Sequence, residues 1–195
     1  MAQKRRIQMA QTSVLPSGKQ EILPFIYWST RRIGVNYAGA GKEILFFNYV
    51  EGQSVDSVVA SEIDTNLKKS NTIEHPNRFW IKQISVSVIP NVLTEDSIGN
   101  LNLLLNNSKF TLKVSVKEKI VICPITSLLD TTQLLPATVS RFTKPYTLKV
   151  AEILLPEVPF TVSLKFGTDM IALTNTAIIR LVVRLHGSLV RLADM

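Results

Sequence analysis

The amino-acid sequence predicts an all-β fold, an antiparallel β-sandwich, and two segments near the C-terminal end carry this prediction. Apolar residues occupy every second position from Phe160 to Phe166 and again from Ile179 to Leu185. A period of two is typical of strands with one buried face and one solvated face. These apolar faces need a cover, and we expect further sheet from the upstream chain to provide it.

The remaining strands follow from the same pattern and from the prolines that end them. The most regular is 109–117, where Phe110, Leu112, Val114 and Val116 are predicted to face inward, and a turn is predicted at Glu118-Lys119. Strands are also predicted at 42–50, 79–89, 120–123 and from Tyr146 toward Pro156. The polar residues 51–77 are predicted to form a loop with one short element at 55–63.

One short helix is predicted at 95–106. Thr94 has the character of an N-cap, and the acidic residues Glu95 and Asp96 follow it in the first turn. Ile98 and Leu101 continue with apolar side chains at helical spacing.

The elements add up to about eight strands, some of which are joined by connections too long for simple hairpins. Short strands with long crossings favour a Greek-key sandwich, and its eight-stranded form is a single jelly roll. An immunoglobulin-like sandwich is the alternative fold, although its Cys…Trp…Cys pattern is absent from this sequence.

The positive charge of the chain is concentrated at its N-terminal end. Residues 1–41 contain six basic residues and one acidic residue, a net charge of +5 out of +7 for the whole chain. Prolines and glycines interrupt this segment, so we predict a basic extended N-terminal arm at 1–41 and a sandwich body at 42–195. Within the arm, Lys4, Arg5 and Arg6 are candidates for contact with nucleic acid or an anionic membrane.

A second group of arm residues mixes aromatic rings with guanidinium groups. Its members are Tyr27, Trp28, Arg31, Arg32 and Tyr37. This composition is typical of an interface or of a surface that binds a nucleic-acid strand. The alternative is that the aromatic rings attach the arm to the body.

The sequence contains no recognisable catalytic set. Tyr37-Ala-Gly-Ala-Gly-Lys42 is not a phosphate-binding loop, because Glu43 stands where that motif needs Ser or Thr. His75 and His186 have no neighbouring residues at metal-ligand spacing. The prediction is therefore a protein that is not an enzyme and has no cofactor or metal. The single cysteine excludes an intrachain disulfide and is typical of a protein made in a reducing cytoplasm.

Two segments resemble the coat proteins of tailless icosahedral viruses and bacteriophages, which have a single jelly-roll fold. One is the ending, Pro156-Glu-Val-Pro-Phe-Thr-Val-Ser-Leu164 with Ile179-Arg-Leu-Val-Val-Arg-Leu-His-Gly187, and the other is Asn107-Ser-Lys-Phe-Thr-Leu-Lys-Val-Ser-Val-Lys-Glu118. The resemblance extends over roughly 42–192. It implies a capsid subunit that self-assembles into an icosahedral shell, with the arm toward the genome or an internal membrane.

The predicted function is therefore that of a structural virion protein, made in the host cytoplasm. Its predicted partners are other copies of itself and other capsid proteins. The viral genome or an internal lipid membrane is a further candidate partner, reached through the arm. The alternative is a non-enzymatic jelly-roll binding module that recognises carbohydrate or peptide.

Overall fold

Antiparallel strands are the main element in the described part of the chain. The computed structural model describes residues 20–33, 43–90, 106–128, 145–167 and 179–192. Within them lie one turn of 3-10 helix at Ile125–Leu128 and ten strands, which are β1 (Gln20–Ile33), β2 (Glu43–Phe46), β3 (Ser54–Val55), β4 (Val58–Val59), β5 (Arg78–Pro90), β6 (Ser108–Val114), β7 (Lys117–Ile122), β8 (Tyr146–Leu154), β9 (Phe160–Phe166) and β10 (Ile179–Leu192).

Eight of these strands form two four-stranded sheets. Sheet A has the order β1-β10-β5-β8, and sheet B has the order β2-β9-β6-β7. All pairings within the two sheets are antiparallel. The short strands β3 and β4 pair only with each other and form a hairpin within the segment between β2 and β5. The prediction of an all-β antiparallel protein is therefore confirmed.

The two sheets contribute to one hydrophobic core, an arrangement compatible with a β-sandwich. Fully buried side chains come from sheet A, such as Phe79 and Val183, and from sheet B, such as Phe110 and Val162. The predicted phases of β9 and β10 are confirmed, because the apolar series at 160–166 and at 181–185 is buried throughout. Period-two alternation therefore identifies the core faces of these strands.

One predicted strand is shorter in the structure, and another contains an irregularity. The strand that begins at Ser108 ends at Val114, because Ser115 and Val116 form a two-residue turn with Ser115 at a φ of 56°. Val116 lies at the tip of this turn and is 88% exposed, so its predicted inward position is wrong. Val150 is also exposed, because residues 148–151 of β8 bulge away from β5.

The predicted boundary between arm and body at residue 41 does not describe the segment 20–33. This segment is β1, which pairs with β10 at fourteen consecutive positions and forms an edge of sheet A. Pro24 therefore lies in an edge strand, as its missing N–H requires. The other residues of the predicted arm, 1–19 and 34–41, lie outside the described residues, as does nearly all of the predicted helix at 95–106.

Candidate functional site

The predicted contact residues divide into those that the structure describes and those that it does not. Lys4, Arg5, Arg6 and Tyr37 lie outside the described residues, and their predicted contacts stay predictions. Tyr27, Trp28, Arg31 and Arg32 lie on β1. Because alternate residues of a strand point to opposite faces, these four side chains separate into two environments.

Tyr27 points into the core between the sheets. Its ring makes edge-to-face contacts with Phe25 and Phe79, each with 4.9 Å between ring centroids. Burial, with a smaller effect from the negative charge of Glu74, raises the pKa of Tyr27 to about 12. Tyr27 is therefore a neutral side chain that attaches β1 to the body, which is the alternative that the sequence left open.

Arg31 lies on the same face of β1 as Tyr27 and forms a bidentate ion pair. Its Nε and Nη2 atoms donate to Asp56 at 2.9 Å and 2.7 Å, and its Nη1 donates to the carbonyl of Leu45 at 2.8 Å. The two parallel bonds have the bidentate geometry that favours arginine over lysine. Arg31 therefore connects β1 of sheet A to β2 of sheet B and to the segment that carries Asp56.

Arg32 points the opposite way and shares a carboxylate with Arg180 of β10. Asp64 Oδ1 lies 2.7 Å from Arg32 Nη2 and 3.2 Å from Arg180 Nη2, and only 3% of the Asp64 side chain is exposed. The other oxygen, Oδ2, accepts from the backbone N–H and the hydroxyl of Ser61. Burial alone would raise the pKa of Asp64, but these hydrogen bonds and the charge of Arg32 outweigh it and leave that pKa lowered.

Side chains and loop backbone also cover the outer edge of β1. Asn66 accepts from the N–H of Trp28 at 3.0 Å and donates to the carbonyl of Ile26 at 2.8 Å, as the backbone of a neighbouring strand would. The N–H of Thr30 donates to the Asp64 carbonyl at 2.9 Å, and the Tyr49 hydroxyl donates to the Thr30 carbonyl. The C-terminal half of this edge is thereby closed to strand addition.

Trp28 lies half-buried on the outer face of sheet A, where two shallow clefts meet. The first cleft, about 820 Å³, lies toward the 51–68 segment and is lined by Glu51, Glu62 and Arg180 among others. The second cleft, about 790 Å³, lies toward the start of β1, and none of the described residues that line it is acidic. Besides Trp28, it is lined by Ile26, Lys82, Gln83, Thr147 and His186 among others.

One serine–histidine contact lies under the second cleft. Ser85 Oγ and His186 Nε2 are 2.9 Å apart, although the two residues are 101 positions apart in sequence. Ser85 is fully buried, so its hydroxyl is not presented to a substrate, and the bond fixes the imidazole ring on the sheet. Among the described residues, no group of three or more His, Cys, Asp or Glu side chains could hold a metal ion.

The residues that complete this site come from the polar segment 51–77, which the sequence analysis treated only as a loop. Asp56, Asp64 and Asn66 each contact β1 at the positions given above. The adjacent arginines Arg31 and Arg32 are a signal in the sequence that such partners exist. Adjacent side chains of a strand point to opposite faces, so each arginine needs its own counter-charge. Which acidic residues supply it depends on the path of the loop.

No helix in the described part of the chain has the length and hydropathy needed to span a bilayer. No family model matches this chain, and no curated protein or solved structure is significantly similar to it.

Proposed function

We propose that this chain is a structural virion protein, a single jelly-roll subunit that assembles with further copies of itself into an icosahedral shell. Its basic N-terminal residues, Lys4, Arg5 and Arg6 among them, point to the interior, where the partner is genome or an internal membrane. Together with the sequence resemblance, the nested pairing of the strands is the observation that supports this proposal most directly.

The nesting is apparent when the eight strands of the two sheets are taken in chain order. The first pairs with the last (β1 with β10), the second with the seventh (β2 with β9), the third with the sixth (β5 with β8), and the two central strands with each other (β6 with β7). Successive pairs alternate between sheet A and sheet B. A long hairpin rolled into two layers has this arrangement, which supports an eight-stranded jelly roll.

Exposed apolar side chains on both outer faces support an assembling protein. Ile22 and Ile153 project from sheet A, and Leu45 and Val121 project from sheet B. Single exposed apolar residues are normal on a monomer, but groups of them mark contact surfaces. A shell subunit would bury such groups against neighbouring subunits or against an internal membrane.

One observation favours the second candidate function, a carbohydrate- or peptide-binding module. The second cleft combines the indole of Trp28 with the polar groups of Gln83, Thr147 and His186. An aromatic face beside convergent hydrogen-bonding groups is a common way to bind a sugar ring or a peptide. We rank this function below assembly because the cleft is shallow and open.

The mass of the native protein separates the two functions. We expect the purified full-length chain to form particles of many subunits of 21.8 kDa, measured by native mass spectrometry and viewed by electron microscopy. A monomer at every concentration and salt, with a saturable glycan or peptide ligand, would support the binding module and refute the shell.

A deletion of residues 2–19 tests the role of the N-terminal residues. It leaves β1 intact, since β1 begins at Gln20, so the cooperative unfolding transition should be retained while assembly or packaging is impaired. Loss of the transition would show that the deleted residues belong to the core.

A further inference from the structure

The outer face of sheet A has an apolar patch at the end where β1 begins. In the register of the sheet, Pro24, Ser188, Trp80 and Ile153 lie opposite one another across all four strands. Trp80 is exposed, and Ile153 is 45% exposed. Residues opposite one another in antiparallel strands share a face, so these side chains form one row across the sheet.

The neighbouring rows extend this patch along β1. Ile22 and Ile26 lie two positions to either side of Pro24 and therefore on the same face, and Ile22 is 61% exposed. We call the group Ile22, Pro24, Ile26, Trp80 and Ile153 the apolar patch.

Among the described residues, the charged side chains that share the outer face with the apolar patch are basic. Glu21, which precedes Ile22, belongs to the opposite face and pairs with Arg191 at 2.8 Å. Arg78 lies in the row of Ile22, and Lys82 lines the second cleft beside Ile26. None of the described residues in the register rows of this outer face is Asp or Glu. The acidic residues Glu51 and Glu62 line the first cleft, at the other end of β1.

The outer face of sheet B has a different character. Its rows contain Glu43 and Glu118 together with Lys109, Lys113 and Lys165, and Lys113 Nζ lies 3.6 Å from Glu118 Oε1. Mixed charges on a solvated face are ordinary for a soluble protein. Among the described residues, the absence of acidic side chains from the outer-face rows of sheet A is therefore a property of that face and not of both sheets.

The sequence immediately before β1 carries further positive charge. The nineteen residues before β1 contain Lys4, Arg5, Arg6 and Lys19 and no acidic residue, and they join the sheet two positions before Ile22. Two such faces from two copies of the chain would repel each other. The face is instead complementary in charge to an anionic partner.

The exposed aliphatic side chains distinguish between the anionic partners. A nucleic-acid backbone attracts cations but gains little from Ile22 or Ile153. The boundary between headgroups and acyl chains in a bilayer favours aliphatic side chains, tryptophan and cations together. From this combination we propose that the apolar patch with its basic rim is a contact surface for an anionic lipid bilayer.

This inference deepens the proposed function and rests on it, because it assigns the face of a shell subunit that turns toward the interior. In that setting sheet A lies against an internal membrane and sheet B faces away from it. Lys82, beside Ile26, then binds headgroups at the border of the apolar patch.

Vesicle flotation with the unassembled full-length subunit, isolated by size exclusion, tests the contact. Vesicles of phosphatidylcholine are compared with vesicles that also contain phosphatidylglycerol, over a salt series. We expect binding to the anionic vesicles only, reduced about tenfold or more in the double variant Ile22→Ser/Ile153→Ser and about fivefold in Lys82→Gln. All of these side chains are exposed, so the variants should retain the unfolding midpoint of the wild type.

Sheet B provides a matched control. Leu45 and Val121 lie in one register row and have comparable exposure, 37% and 48%. The double variant Leu45→Ser/Val121→Ser should bind vesicles as the wild type does. Equal loss of binding in both double variants would overturn the assignment of the membrane face to sheet A.

Two further outcomes would overturn the proposal. The first is that the wild-type protein does not bind anionic vesicles. The second is that it binds oligothymidine in preference to anionic vesicles and that Ile22→Ser/Ile153→Ser does not weaken this binding, which would indicate a nucleic-acid surface. Particle formation is measured on the same preparations. Particles without vesicle binding would refute the bilayer contact and leave the shell function intact. Vesicle binding without particles would refute the shell function and leave the bilayer contact intact.

Discussion

Replacement of Asp64 by alanine should destabilise the whole body, because this carboxylate holds three parts of the chain together. It accepts hydrogen bonds from Ser61 on its own loop, from Arg32 on β1 and from Arg180 on β10. Its removal leaves two guanidinium groups on the outer face of sheet A without this counter-charge. The backbone N–H of Ser61 also loses its acceptor.

The size of the effect follows from the burial of the partners. Removing one member of a fully buried ion pair costs about 3–5 kcal/mol. The side chains of Arg32 and Arg180 are 16% and 30% exposed, so water partly compensates the lost partner. We therefore expect a loss of about 2 kcal/mol in the free energy of unfolding.

Urea denaturation at neutral pH, followed by tryptophan fluorescence, measures this loss. Glu118→Ala is the matched control, because it removes a carboxylate from the exposed pair with Lys113, whose side chains are 41% and 47% exposed. Exposed pairs contribute about 0–1 kcal/mol. If Asp64→Ala changed the unfolding midpoint no more than Glu118→Ala, the carboxylate would not be the link that the structure indicates.

The pH dependence gives an independent check on the same residue. The pKa of Asp64 in the folded protein lies below its ordinary value of 3.8, so the unfolded chain takes up this proton first as the pH falls. The stabilisation is therefore complete above about pH 4 and is lost as the pH falls through the folded pKa. The difference in stability between the wild type and Asp64→Asn should shrink below about pH 4. A difference that is constant with pH would contradict this account.

Three further predictions concern the sheets. Leu112→Ala should lower the free energy of unfolding by about 2–5 kcal/mol in urea denaturation, because Leu112 is fully buried in a central strand. Val116→Ala is the control and should change this free energy by less than about 0.5 kcal/mol, because Val116 is exposed. Gly187→Ala should cost about 1–3 kcal/mol, because the added Cβ would overlap the carbonyl oxygen of Trp80, and an unchanged midpoint would refute this close approach. Asn66→Ala should open the edge of β1 and increase concentration-dependent self-association in light scattering, whereas an unchanged scattering profile would show that the edge is protected by other means.

Local pattern predicted much of the fold. The burial of alternate residues in β9 and β10 follows from a period of two, because a strand that covers one core must present apolar residues at every second position. The strand at 79–89 was predicted for the same reason and extends over Arg78–Pro90 in the structure. The positive charge of the first residues and the lack of a recognisable catalytic motif are also properties of the sequence alone.

The assignment of β1 depended on tertiary structure. Pro24 and the surrounding glycines and prolines weaken the strand pattern of 20–33, and the sequence analysis therefore placed this segment in an arm. In the structure, β10 provides a hydrogen-bonding partner along the whole segment, and this pairing outweighs a weak local preference. The turn at Ser115-Val116 was missed because Val116 continues the period-two apolar series, and this pattern extends the predicted strand through the turn.

The contacts of Arg31 and Arg32 show most clearly where the sequence reaches its limit. From the sequence, the two arginines were candidates for an external interface. In the structure they form ion pairs with Asp56 and Asp64, which lie 25 and 32 residues away. The alternation of a strand determines that the two side chains diverge, but only the path of the loop brings a carboxylate to each, because a salt bridge depends on distance in space and not on separation along the chain.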